Sequence, residues 1–258
     1  MNSKNLSSTD YEKSESFIKL SRSLIESMNS NENAELDIYH LVIIKSLANN
    51  FQKAAFTGVN HLMRFIGMNM EQSATKLRTN NSLVRLQEHG HIEIYEDIKM
   101  KKRVYELKNS TDYFIKPTGK DEHENFAKVF YEDIQKIVLM KTNYKYKAFA
   151  VYLNVICYLY YNQTTHPLSY IKIDTIVDQT NIKRKTVVDL LKLLINHEVL
   201  YCVNIHIKKG VLRNYYTRWI HREYTQNWAV GRAEYSYRIE QNKFISENIG
   251  VSDEKGIF

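Results

Sequence analysis

Cysteine is almost absent from this chain: only Cys157 and Cys202 occur, each inside an apolar segment. That excludes a disulfide framework and suits buried thiols in a reducing compartment. Closely spaced zinc ligands are missing too, with no CxxC or HxxxH pair; the nearest arrangement is His89-Gly90-His91, where a helical pattern gives way to a strand, so neither a metal nor any other cofactor is expected. No run of about 18 apolar residues occurs, and the start is rich in Ser and Asn rather than basic and then apolar. The expectation is a cytoplasmic protein with neither a membrane span nor a signal peptide. Also lacking are a phosphate-cradling glycine loop and any triad spacing among the nine histidines. The paired acids Asp121-Glu122 and Glu132-Asp133 fall in polar connectors or on helix faces, where a solvated role is the default, so the chain is not expected to be an enzyme. Glycine and proline are scarce, at eight and two, while Asn, Ile, Lys and Tyr are abundant. All four have A/T-rich codons, which points to a low-GC bacterial or mobile-element source and means that 19 tyrosines are not in themselves a base-stacking signal.

What is present is organised around residues 171–222. Ile173, Ile176 and Val177 have the spacing of a helix with one inward side, and Thr180-Asn181-Ile182 supplies a turn. A second helix is expected from Lys183 to His197, with Val187, Leu190, Leu191 and Leu194 buried against the first. Its other side carries Lys185, Asp189, Lys192 and Asn196, and Lys183, Arg184 and Thr186 crowd its amino end, where free backbone N–H groups favour anions. The period then changes to 2: Val199, Tyr201, Val203, Ile205 and Ile207 read as a strand, Lys208-Lys209-Gly210 as a turn, and residues 211–220 as the returning strand. The hairpin tip carries Lys208, Lys209 and Arg213, placed for duplex phosphates beside a helix in the major groove. Residues 181–222 hold nine Lys and Arg against Asp189 and Glu198, a net of +7 that equals the charge of the whole chain. Such a local excess says more than a high overall basicity. The plainer reading is a solvated helix face on which Asp189 pairs with Lys185 and Lys192.

At 258 residues, about two domains are expected. Residues 1–35 read as a flexible N-terminal arm with an amphipathic helix over Glu15 to Met28 (Phe17, Leu20, Leu24, Ile25, Met28), which either caps the first domain or pairs with a second copy. Residues 36–117 read as the first domain: a helix from Leu36 to Asn49 with Leu36, Tyr39, Val42, Ile43 and Leu47 inward, one from Gly58 to Ile66, and one within Glu71 to His89 with Leu77, Leu83, Val84 and Leu86 inward. Thr79-Asn80-Asn81 is a candidate break in that third helix, and Gly90 its end. Strands at Ile92–Tyr95 and Val104–Leu107 should then form a second basic hairpin around Lys99, Lys101, Lys102 and Arg103. The order repeats that of the later unit, although the third helix offers only Lys76, Arg78, Asn80 and Arg85. This first half binds DNA mainly through its hairpin or serves dimerisation. Residues 118–125 are the expected linker, 126–228 the second domain, and 229–258 a C-terminal extension ending in a mobile tail. Within the second domain, Phe126 to Met140 reads as an amphipathic helix and Ala148 to Tyr161 as a helix apolar all round and therefore central. Trp228 to Phe244 is a candidate helix packing back on it.

Residues 173–200, IDTIVDQTNIKRKTVVDLLKLLINHEVL, resemble the helix-turn-helix core of the winged-helix superfamily. More loosely, the span from Phe126 (FAKVFYEDIQKIVLM followed by the long apolar helix) resembles plasmid and phage replication proteins of low-GC Gram-positive bacteria, and two tandem winged helices in about this length resemble the layout of plasmid replication initiators, a second likeness from which no residue carries over. The fold so implied is mainly α with small β wings, arranged as two tandem winged-helix domains.

The function expected from these features is sequence-specific binding of double-stranded DNA, as a replication initiator of a plasmid or phage or as a transcription regulator of a mobile element. A homodimer on paired half-sites is expected, with replication or transcription machinery as a further partner and no membrane role. The alternative is an interaction adaptor for helicase loading or chromosome organisation that reads no sequence.

Overall fold

The computed structural model describes residues 16–29, 33–49, 51–119, 126–159, 167–208 and 211–232. The first surprise lies in the stretch read as a helical arm. Strand β1 (Phe17–Ser21) comes first, and helix α1 (Arg22–Asn29) begins only afterwards. In β1, Ile18 and Leu20 point to the core while Lys19 stays exposed. The Ser21 hydroxyl then accepts the Leu24 N–H at 3.3 Å, satisfying one of the free donors at the start of α1. The partner of β1 is β5 (Phe126–Phe130), in the other half of the chain, with Phe17 opposite Phe130 and Lys19 opposite Lys128. The predicted helix over Phe126 to Met140 is likewise a strand followed by a shorter helix, here α5 (Tyr131–Leu139). A period of 2 over five residues wins at both places because pairing satisfies the backbone of two segments at once.

Helix α2 (Ala34–Leu47) is buried well beyond the predicted stripe, with Ile38, His40, Leu41 and Ile44 inside as well. Helix α6 (Lys145–Cys157) is enclosed on nearly all sides, as its apolar sequence requires. The two pack together, with the Tyr39 and Phe149 rings 5.4 Å apart, and one continuous apolar core runs from Ile18 to Tyr216. The halves repeat one order. In the first, α2 is followed by β2 (Ala55–Thr57), α3 (Val59–Phe65), α4 (Ser73–Glu88), β3 (Ile92–Tyr95) and β4 (Tyr113–Pro117). In the second, α6 is followed by a one-residue bridge at Ser169, α7 (Ile173–Thr180), α8 (Arg184–Asn196), β6 (Leu200–Lys208) and β7 (Val211–Arg218). β2 pairs β4, and Ser169 bridges Tyr216 of β7 in the same way. The repeat thus starts upstream of where the helical periods place it, at Phe17-x-Lys19 and Phe126-x-Lys128.

Two tandem winged-helix domains in a mainly α fold are not what forms. Of the described residues 52% are helical and 19% lie in small sheets, a mixed α and β composition. The predicted first hairpin is cut short. The chain does turn back on β3, at an antiparallel Tyr95–Arg103 bridge flanked by Glu96 N–H donating to the Lys102 carbonyl at 3.0 Å and Val104 N–H to the Ile94 carbonyl at 2.9 Å, but no strand forms over residues 104–107, and the full-length partner of β3 is β4. The Asp97 carboxylate shapes the turn by accepting the N–H groups of Lys99, Lys101 and Lys102 at 2.9, 3.2 and 2.8 Å, which curls the chain into a compact loop. These bonds, led by that from Lys102, hold the Asp97 carboxyl below the usual carboxylate range. Tyr113, Phe114 and Ile115, richer in strand-forming side chains, pair along the other edge of β3.

Two buried polar links tie the layers together. Lys145 donates to the Ile66 and Val138 carbonyls at 2.7 and 2.6 Å, at the carboxyl ends of α3 and α5, where a cation complements the helix dipoles; burial lowers its pKa. Arg218 of β7 meets Asp133 of α5 in a salt bridge of 2.7 Å whose side chains are 1% and 3% exposed. Tyr152 donates to the same carboxylate at 2.7 Å, and the guanidinium lies 3.5 Å above the Phe130 ring. Asp133 is therefore not a solvated helix-face acid. Cys157 and Cys202 are free thiols pushed up by burial, to about 12 and about 11. Among the described residues no helix is long and apolar enough to cross a membrane.

Candidate nucleic-acid interface

The α7–turn–α8 unit forms close to its predicted limits. The Thr180 hydroxyl donates to the Ile176 carbonyl at 2.6 Å and accepts the Ile182 N–H at 3.3 Å, and Asn181 takes the left-handed conformation at φ 53° that Asn tolerates well. The turn also buries Ile182. Val187, Leu190, Leu191 and Leu194 of α8 are buried, and this seating fixes which side of the helix faces outward. Lys183, Arg184, Lys185, Asp189, Lys192 and Asn196 are exposed and Thr186 is half-buried.

Charge on this outward side is only partly compensated. Arg184 is held by Asp174 of α7. Lys183, Lys185 and Lys192 have no ion pair among the described residues, and the expected pairing of Asp189 with its lysine neighbours does not form. The first turn of α8 contains no acid and its amino end has no side-chain cap, so free N–H groups and cations point the same way.

The hairpin β6–β7 follows in antiparallel register from Leu200 opposite Arg218, with an irregularity between His206 and Lys208. Lys208 ends β6; its side chain and the whole of Lys209 lie outside the described residues. Arg213 is half-buried, its guanidinium 4.7 Å over the Tyr170 ring. The C-terminal part of the chain closes the hairpin's other flank: residues 222–232 are helical, and Trp228 meets Tyr215 edge-on at 5.2 Å. The predicted helix from Trp228 to Phe244 thus begins earlier, and most of it lies outside the described residues. The local +7 includes Arg218, which is consumed internally by Asp133, and Arg222, which lies over Trp219 and beside Glu223. The solvent-facing excess is concentrated on α8.

The first half differs. α4 runs unbroken through Thr79-Asn80-Asn81: Leu83 and Leu86 are buried on its inward side, Ser82 bonds His40 Nδ1 at 2.8 Å, and Arg85 forks onto Asp37 at 2.8 and 2.7 Å. Leu77, expected inward, is 60% exposed. Lys76 is half-buried, Arg78 lies 5.5 Å over the Tyr146 ring, and Asn80 donates to the Leu107 carbonyl and to Asn109 at 3.1 and 3.0 Å. Asn80 thus holds a loop in place. In the Asp97 loop Lys102 pairs with Glu96 and Arg103 with Glu93, leaving Lys99 and Lys101 without an ion pair.

A cleft of about 90 Å³ between α1, the end of α6 and α7 is lined by Arg22, Glu26, Asn154, Tyr158 and Gln179. That is far smaller than a metabolite pocket. No protein-family model matches the chain, and no curated protein matches it.

Proposed function

We propose that the protein binds double-stranded DNA sequence-specifically through α8, as a homodimer on paired half-sites, in initiating replication of a plasmid or phage or in regulating transcription of a mobile element. The observation that carries this reading is the outward side of α8. Lys183, Lys185, Lys192 and Asn196 stand there exposed, opposite a fully buried leucine stripe. A helix so seated can enter a major groove with its amino end toward base edges, where Arg and Lys reach guanine O6 and N7. Arg184 is not lost to this task, because an exposed pair like that with Asp174 is worth at most about 1 kcal/mol and can be exchanged for a phosphate or base. Lys208, which ends β6, would add a phosphate contact that positions without reading.

The test starts from a duplex site selected out of a random pool. Arg184→Ala and Lys185→Ala should each cost about 1–3 kcal/mol on the selected site and much less on a scrambled duplex, whereas Lys208→Ala should weaken both alike. Equal losses on both duplexes for Arg184 and Lys185 would show that α8 does not read sequence. Duplex affinity too weak to measure, with no salt dependence, would favour an interaction adaptor.

A further inference from the structure

The three-stranded sheet β2–β4–β3 turns Ala55, Thr57, Ile92, Ile94 and Ile115 to the core. Its other side is not the polar surface that an open sheet face usually presents. The register sets Phe56 opposite Phe114, and Phe114 opposite Tyr95, so three aromatic residues form one row across three neighbouring strands. Phe56 is 57% exposed, and its ring lies 4.8 Å from that of Phe114, tilted by 42°. Phe51, in the loop entering β2, is 95% exposed.

The charges around the row are unequal in their availability. Glu93 is engaged by Arg103 and by the Tyr95 hydroxyl, Glu96 by Lys102, and Asp97 by backbone N–H groups. Of the acids in this stretch, Glu106 in the following loop remains exposed. Lys53, Lys99, Lys101 and Lys116 have no ion pair among the described residues, and Lys116 follows Phe114 on the same side of β4. The surface is aromatic in the middle and cationic at its rim.

We propose that this sheet face binds single-stranded nucleic acid, with bases stacking on Phe56, Phe114 and Tyr95 and phosphates meeting Lys53, Lys99, Lys101 and Lys116. Every base has a π-face, so such a platform is sequence-tolerant and suited to a strand whose bases are unstacked. Neighbouring strands are about 4.8 Å apart, a spacing that an extended strand can follow ring by ring. A duplex keeps its base faces inside and cannot. The surface shares no residue with α8, so the inference does not depend on duplex reading there; together they would let one protein hold a duplex and an opened strand.

The full-length protein would be titrated into a fluorescein-labelled 20-nucleotide oligo-dT and, separately, into a labelled random-sequence duplex, with anisotropy as readout. Phe56→Ala and Phe114→Ala should each weaken oligo-dT binding about tenfold or more, leave duplex binding unchanged, and be rescued by Phe56→Trp and Phe114→Trp. Lys53→Ala, Lys101→Ala and Lys116→Ala should each flatten the salt dependence of oligo-dT binding by about 0.7. Phe56 is exposed, so its variant keeps its thermal midpoint and reports on the surface rather than on folding. No binding of oligo-dT, or binding that Phe56→Ala leaves unchanged, would overturn the proposal. So would an equal loss on the duplex, or a Phe56→Ala effect seen only as dissociation of a dimer in sedimentation, which would make this face a protein interface.

Discussion

His40 should make the fold acid-sensitive in a pH range where few other groups titrate. Its ring is fully buried between α2 and α4, with Nδ1 bonded to Ser82 at 2.8 Å and Nε2 without a partner among the described residues. Protonation would place a charge, and an N–H with nothing to receive it, in an apolar interior; burial first, then Arg85 and Arg78, lowers the pKa from 6.5 to about 3. The folded state therefore stays unprotonated while the unfolded chain takes up a proton below 6.5, so stability is present above that value and is lost as pH falls toward 3. From pH 7 to pH 5 this one group removes about 2 kcal/mol. With a urea m-value of about 1–3 kcal/mol/M, the midpoint should fall by about 1 M. Urea unfolding followed by circular dichroism at the two pH values measures it, and His40→Gln should be less stable at pH 7 but nearly flat across the interval. Equal wild-type midpoints at pH 7 and pH 5, or an undiminished slope in His40→Gln, would refute the reasoning.

Two further outcomes follow from the packing. Arg218→Met leaves Asp133 charged in a site where it is 2% exposed, and should destabilise by about 3–5 kcal/mol, whereas the double change Asp133→Leu with Arg218→Met should recover most of that loss in denaturant titrations. Gly58→Ala would place its Cβ 2.1 Å from the Thr111 carbonyl oxygen, a backbone atom, so a drop of about 1–3 kcal/mol or more is expected by thermal melting. Gly119→Ala, with open space around it but φ at +65°, should lose only about 1–2 kcal/mol.

The local character of the α7–α8 unit and its hairpin was determined by sequence alone, because each of its signals is short-range. Leucines at helical spacing, an Asn able to adopt a left-handed turn, and a change of period from 3.6 to 2 need no distant partner to be read. The exposed cations of α8 were legible for the same reason, since a buried stripe on one side of a helix dictates what the other side presents. Tertiary structure decided everything that depended on a partner far along the chain. β1 and β5 each look helical by apolar spacing, and only their mutual pairing, with Phe17 opposite Phe130, 113 residues away, makes strands of them. The strand expected at Val104–Leu107 shrank to the Tyr95–Arg103 bridge after the loop that Asp97 curls, and β4, arriving later in the chain, took the other edge of β3. Arg218 counted as a surface cation until Asp133, remote in sequence, took it into the core. The row of Phe56, Phe114 and Tyr95 is likewise a product of register: three aromatics scattered over 59 residues become neighbours only when β4 is inserted between β2 and β3. Periodicity reports the side of an element that must be buried, but which element buries it, and what is assembled on the opposite side, is settled by long-range pairing.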